Sequence, residues 1–350
     1  MPTVREPHVA VWRLFDLADE IDTDRVAGTR FALRRSRSGA VRLEEPPVEL
    51  DLGDHGFAGR TGRLRARVYP FGVVALAWRV RLGERLPWGE LESAALELVD
   101  APGLDAWMRE RLAPLRRELA PALARPLTAP GEEGFYAVHV QGFEPELSAD
   151  ALLQELDPAP LVLGERVAAS AQLRADLARH AFSYSTGDLA LLGFDGVFIY
   201  DQEGIWDVAD LVEWVHAELL ELEYYDGVLA RALEGAPQVL RELGWGRYGR
   251  LARLRRNLME RRAEITEVQT RLAGALRITE DLFYARIHRD ATEVYGAAEL
   301  AGAVQAKLQA LNAIYQMVSE EMQFRRSQAV EVAILALIAL EVVWVLLGRM

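Results

Sequence analysis

The stretch AFSYSTGDLALLGFDGVFIYDQEGIWDVADLVEWVHAELLELEYYDGVLARALE, residues 181–234, changes texture in its middle. Up to Asp201 it holds short runs of Leu, Val, Ile, Phe and Tyr, broken by Gly187, Gly193 and Gly196. Such residues suit a pleated, half-buried surface, and glycine permits tight turns, so two or three short strands are expected. After Gly204 the apolar residues take a helical period. Asp207 is placed to cap a helix over 207–234, and EGAP (234–237) is expected to end it. Pro237 is the last proline of the chain. The junction near 204 thus separates mixed α and β sequence from all-helical sequence.

Working towards the N-terminus, HVAVWRLFDLAD (8–19), RVYPFGVVALAWRV (67–80) and FYAVHVQGF (135–143) have strand character. LPWGELESAALELVD and WMRERLAPLRREL have helical spacing, broken near Pro102-Gly103. SADALLQEL (148–156) starts at a capping Ser148, and LVLGERVAASAQLRADLARH turns helical in its second half. PLTAPGEEG (126–134) and the glycine-rich GDHGFAGRTG (53–62) read as loops. Interleaved strands and helices make residues 1–204 an α+β domain.

Working towards the C-terminus, two seams alternate by three and four positions. One runs from Leu251 to Leu282; the other takes Val294, Ala297, Ala301, Val304, Leu308, Leu311, Tyr315, Val318 and Met322. This is coiled-coil spacing. With the turn placed in RIHRDATEVYG (286–296), residues 205–326 are expected to form an all-α domain built on a long antiparallel helical hairpin. Each seam faces either its own chain or a second copy.

Residues 327–350 are expected to form a C-terminal hydrophobic helix. Ala329 to Leu347 is about 28 Å of helix at ~1.5 Å per residue, close to a bilayer core of roughly 30 Å. Its twelve Leu, Ile and Val residues favour insertion by about 4–7 kcal/mol. Glu331 and Glu341 oppose it, a mid-bilayer carboxylate costing on the order of 3 kcal/mol. Ala329, Ala333, Ala336 and Ala339 let a second helix approach and shelter the acids. Arg325 and Arg326 before the span favour a cytoplasmic N-terminal side. A tail-anchored, self-associating protein is therefore expected, against a soluble one whose last helix is buried in an oligomer.

Composition narrows the chemistry. The chain has no cysteine, which excludes disulfides and thiolate chemistry. No secretory signal is expected at its start. Lys307 is the lone lysine beside thirty-nine arginines, a bias that suggests a GC-rich bacterial genome. A net charge of −13 argues against a general DNA binder. The exception is local: Arg241 to Arg262 holds eight arginines, and Arg247, Arg250, Arg253, Arg255, Arg256, Arg261 and Arg262 form a candidate anionic-ligand patch. It either pairs with the acidic helix 213–226 or meets anionic lipid or RNA, including a ribosome surface.

The segments GDLALLGFDGVFIYDQEGIWDVADLVEWVHAELLELEYYDGVLARALE, KLQALNAIYQMVSEEMQFRRSQ and ILALIALEVVWVLL, with YPFGVVALAWRV upstream, resemble one known family. It is named for the meiotic protein "required for meiotic nuclear division" and includes the Sad1-interacting factor and bacterial YagE-like proteins. The resemblance spans about 182–347. It implies an α/β domain, then helices, then a hydrophobic helix with an acid, which Glu341 matches. Mitochondrial relatives in that family are inner-membrane proteins linked to mitochondrial translation. The family transfers no catalytic residues.

No P-loop, GxSxG elbow or HExxH is present. The histidines His8, His55, His139, His180, His216 and His288 are scattered, so no metal or cofactor site is expected. Asp188, Asp195, Asp201 and Glu203 either serve glycine turns or converge on a cation. Tyr224, Tyr225 and Asp226 are packing residues or a partner surface. The expected protein is a cytoplasm-facing, inner-membrane scaffold or adaptor of a bacterium, attached through 329–347. The alternatives are an enzyme with a carboxylate site around Asp188 and Asp195, and an RNA or ribosome tether through the arginines.

Overall fold

The computed structural model describes residues 2–28, 32–35, 46–166, 169–242 and 281–347. Two compact units divide the chain: Met1–Tyr224 with Ala275–Ala301, and Tyr225–Gly274 with Gly302–Met350.

The strands of the first unit are β1 (Thr3–Arg5), β2 (His8–Asp16), β3 (Ala18–Ile21), β4 (Ala32–Arg35), β5 (Val48–Phe57), β6 (Arg60–Val68) and β7 (Val73–Arg81). They continue with β8 (Arg85–Pro87), β9 (Leu123–Pro126), β10 (Glu132–Val140), β11 (Gly142–Glu144), β12 (Ala181–Phe182), β13 (Asp188–Leu192) and β14 (Gly196–Asp201). Nine of them form one sheet in the order β12-β13-β14-β10-β2-β7-β6-β5-β4. Its pairs are antiparallel except β10 with β14. The long connection from β10 to β14 holds the short helices that a parallel pair requires.

One sheet face packs on α2 (Trp88–Val99) and α3 (Leu104–Leu119), which follow the short α1 (Thr23–Ala27). Val9, Val11, Leu64, Leu76, Trp78, Leu91, Met108 and Leu115 meet there in the main core. The break between these two helices falls at Gly103, as the sequence suggests. Next come α4 (Ala149–Glu155), α5 (Ala159–Leu163) and α6 (Ala171–Leu177). The Ser148 side chain caps α4, accepting from the Ala151 N–H at 3.2 Å.

The opposite face carries the start of α7 (Asp207–Glu242). Trp12 and Phe135 stack at 4.5 Å on that face, and His216 of α7 lies parallel to Phe135 at 4.7 Å. Alternation along the strands explains the division: Val9 and Val11 point one way, Trp12 the other.

Three expectations need correction. GDHGFAGRTG is a hairpin, not a loop: β5 runs to Phe57 and β6 starts at Arg60. Ala58 and Gly59 both have positive φ, the two-residue turn whose twist matches paired strands. Secondly, α7 passes EGAP and is helical as far as Glu242, the last described residue of this stretch; a proline removes one N–H bond but leaves helical φ intact. Thirdly, the turn expected in RIHRDATEVYG does fall there but only at its end, Tyr295–Gly296, and the rest of the segment is helix. Asp281 caps α8 (Leu282–Val294) by accepting the Phe283 N–H at 2.8 Å, and a turn at Tyr295–Gly296 precedes α9 (Ala297–Leu347). Ile287 and Ala291, one helical turn apart, bury a face of α8. The seams through Leu282 and Val294 are therefore interrupted. Most of the first seam, from 251 to 280, lies outside the described residues.

In the second unit, Val304, Leu308 and Leu311 are buried, and Lys307 reaches Asp226 at 2.7 Å. Every described side chain of α9 from 327 onward is exposed. Among the described residues no helix is long and apolar enough to cross a membrane. The side chains of 342, 343, 345 and 346, inside the expected span, lie outside that description.

Candidate functional site

Two polar constellations lie in the first unit. The first is buried beneath α7. Glu213 accepts from Trp12 Nε1 at 2.8 Å, Tyr69 OH at 2.8 Å and Arg67 Nη1 at 3.1 Å. Asp210, one turn earlier, accepts from Arg67 Nη2 at 2.8 Å. Arg79 Nη2 lies 3.5 Å from the other Asp210 oxygen. Burial pushes the Asp210 carboxyl up, but the Arg67 and Arg79 charges outweigh it and hold it below its ordinary range. Burial wins at Glu213, whose pKa is raised although Arg67 opposes the shift.

Trp206 closes the end of this layer. It stacks on His139 at 4.5 Å, and the Arg79 guanidinium lies 4.3 Å from its ring centroid. Burial, helped by His8 and Arg79, pushes the His139 imidazole down to about 4. His139 Nε2 faces the Ile205 carbonyl at 3.1 Å. Two arginines, two acids and a ring of aromatics thus clamp α7 to the sheet. Glu213, at the centre of this constellation, is 1% exposed.

The second constellation is a cleft of about 580 Å³ at the β12 end of the sheet. Register places Asp188 of β13 opposite Asp201 of β14. Asp188 accepts from the Tyr184 N–H at 2.6 Å, the Ser185 N–H at 2.9 Å and the Ser185 hydroxyl at 2.7 Å. Asp201 accepts from the N–H groups of Glu203 at 2.9 Å and Ile205 at 3.0 Å. Glu203, Asp207 and Asp281 add three further carboxylates to the wall. The apolar part comes from Phe182, Tyr184, Ile205, Phe283 and Tyr284. Tyr184 meets Phe283 edge-on at 5.6 Å. Burial, reinforced by Asp207, Asp201, Asp281 and Asp188, pushes the Tyr284 hydroxyl up to about 12.

The cleft gathers three of the four acids singled out in the sequence, Asp188, Asp201 and Glu203. Asp195 is not among its lining residues. Both central acids do the turn chemistry expected of them, holding backbone N–H groups. Among the described residues no group of three or more His, Asp or Glu side chains is placed to hold a metal ion. Of the histidines, His8 and His139 meet edge-on across β2 and β10 at 6.4 Å, whereas His180 meets Asp290 at 2.8 Å, His216 lies 3.7 Å from Glu133, and His288 lies 3.6 Å from Glu218. Tyr224 donates to Asp19 at 2.8 Å. The arginine patch Arg247, Arg250, Arg253, Arg255, Arg256, Arg261 and Arg262 lies outside the described residues. Glu331 and Glu341 are both exposed on α9.

Sequence reasoning missed Arg67, Arg79 and Asp210, and the α8 side of the cleft. One signal was present for the latter: Asp281 before LFYARIH is a capping residue ahead of an apolar run. The arginine partners of α7 left no local trace, because they sit 143 and 131 positions from Asp210.

A sheet flanked by helices, with an ionic clamp beneath α7 and a cleft at the β12 end, defines an α+β domain followed by helices. The chain belongs to the family described as "Uncharacterized protein MJ0711, N-terminal domain", whose model matches residues 7–206. That match covers the nine-stranded sheet and stops at the start of α7. The chain is similar to the "Uncharacterized protein MJ0711" of Methanocaldococcus jannaschii, with 26% identity over 171 residues. The aligned region is 48% of this chain and 52% of that protein, so the chain spans about half the length of this curated relative. No solved structure matches the chain.

Proposed function

We propose that the protein is a self-associating scaffold or adaptor, held on the cytoplasmic face of a bacterial inner membrane by the last part of α9. One observation carries this reading. Val330, Val332, Ile334, Leu335, Leu337, Ile338 and Leu340 are between 50% and 67% exposed. At 100° per residue these positions point all round the helix rather than to one side. A helix apolar on every face belongs inside protein or lipid, not against a single groove. Covering each such side chain is worth about 1.5–3 kcal/mol.

Glu331 and Glu341 favour a cluster of helices over a lone one, since a neighbour shelters each carboxylate from hydrocarbon. The finer kinship, with the family built around "required for meiotic nuclear division", belongs to the same reading: a terminal hydrophobic helix carrying an acid is its hallmark. An adaptor is favoured over an enzyme because Asp188 and Asp201 already hold backbone N–H groups and so are engaged in turn structure. The arginines 247–262 would meet anionic headgroups, and exchanging Arg250, Arg253 and Arg256 for Gln should weaken binding to anionic vesicles.

The test is flotation of the full chain, made without detergent, with lipid vesicles beside a chain ending at Arg326. Flotation of the first alone, with cross-linked multimers, is expected. A full chain that stays soluble and ignores vesicles overturns the proposal.

A further inference from the structure

The cleft between the β13–β14 hairpin and α8 sets carboxylates beside exposed apolar side chains. Asp188 and Asp201 accept from neutral backbone N–H groups and, for Asp188, from the Ser185 hydroxyl. Glu203, Asp207 and Asp281 stand on the same wall. Beside these acids lie large apolar side chains turned to solvent. Tyr184 is 80% exposed, Leu282 next to the cleft 78%, and Ile205 40%. Isolated exposed hydrophobics are ordinary, but an aromatic and aliphatic rim around a concave acidic wall is a recognition surface.

We propose that this cleft docks an arginine-bearing, leucine-type segment of a partner protein. Charge complementarity selects the partner: an acidic concavity focuses a negative potential that draws cations and repels nucleic acid and anionic lipid. The aromatic walls select arginine within that class, because a guanidinium stacks on a ring face while its neighbours take apolar contacts. The wall already hosts one such contact, with the Arg286 guanidinium 5.9 Å from the Phe182 ring centroid. A volume of about 580 Å³ suits a few side chains and is far too large for a bare cation. The inference deepens the adaptor reading by naming the partner's chemistry, yet the cleft lies wholly within the first unit.

The test uses the full chain in detergent micelles and a short fluorescein-labelled peptide of arginine, leucine and alanine, read by anisotropy. A version with glutamate for arginine is the control. Saturable, salt-sensitive binding of the arginine peptide alone is expected. Tyr184→Ala with Glu203→Arg, both at exposed positions, should weaken it tenfold or more while the thermal transition and vesicle flotation stay unchanged. Leu282→Ala, also exposed, should weaken binding on its own. Equal affinity in all variants, or equal binding of the glutamate peptide, overturns the proposal and leaves membrane attachment standing.

Discussion

The guanidinium of Arg67 on β6 lies 3.1 Å from the carboxylate of Glu213 on α7, although 146 positions separate them. The same guanidinium donates to Asp210 at 2.8 Å. Both acids sit on one helical face, so a single arginine binds two successive turns of α7. Removing one member of a buried ion pair costs about 3–5 kcal/mol, because the remaining charges are left uncompensated. Arg67→Ala is therefore expected to lower unfolding free energy by about that amount. Glu213→Gln should cost less, since Arg67 keeps Asp210. Urea denaturation of both variants checks the order; an inverted order would remove Arg67 from its central place.

Asp16, at the end of β2, is 5% exposed. Burial, with Asp19 nearby, raises its pKa to about 7. The native state thus holds the proton more tightly than the unfolded chain, where a carboxyl titrates near 4. Its contribution is complete below about pH 4 and disappears as pH rises towards 7. Asp16→Asn should leave stability unchanged at pH 4 and raise it near neutrality, by at most about 4 kcal/mol. Denaturation midpoints across pH 4–8 provide the measurement. A constant difference between variant and parent would show that Asp16 does not titrate there.

Gly72 occupies the turn between β6 and β7 with φ +100°. A Cβ there would meet the Ala18 carbonyl oxygen at 1.7 Å, and the Leu17 N–H binds the Gly72 carbonyl at 3.0 Å. Backbone on both sides has nowhere to move. Gly72→Ala should destabilise the fold by about 3 kcal/mol or more. Calorimetry that shows less than a third of this would mean that the turn reshapes itself.

Along α9, Leu337→Arg with Ile338→Arg places two charges near the middle of the oily segment. Each costs roughly 2.5–3.5 kcal/mol in a bilayer centre, together about as much as the whole segment gains. If the segment lies in lipid, the double variant should leave the membrane fraction, with its α+β circular dichroism unchanged. Retention of the variant in that fraction would point to protein, not lipid, as the cover.

Much of the α+β region was legible in the sequence. Short apolar runs between glycines became β13 and β14, and Ser148 and Gly103 stood where helices start. These are local effects, set by turn geometry and capping within a few residues. The hairpin of β5 and β6 was misread because its glycines imitate a loop. Its evidence is the ladder of bonds to β7 and β4, which no short window contains. The acids of the cleft were found as turn residues; their convergence with α8 was not visible.

By itself, then, the sequence determined where strand period yields to helix period near 204, and where Leu, Ile and Val crowd together between 329 and 347. Both are statements about spacing along one chain. Only the tertiary structure decided that β10 runs parallel to β14, that Arg67 and Arg79 answer the acids of α7, and that α8 closes an acidic, aromatic-lined cleft. Those pairings depend on burial, which removes water as a competing partner and makes charges distant in sequence compulsory neighbours.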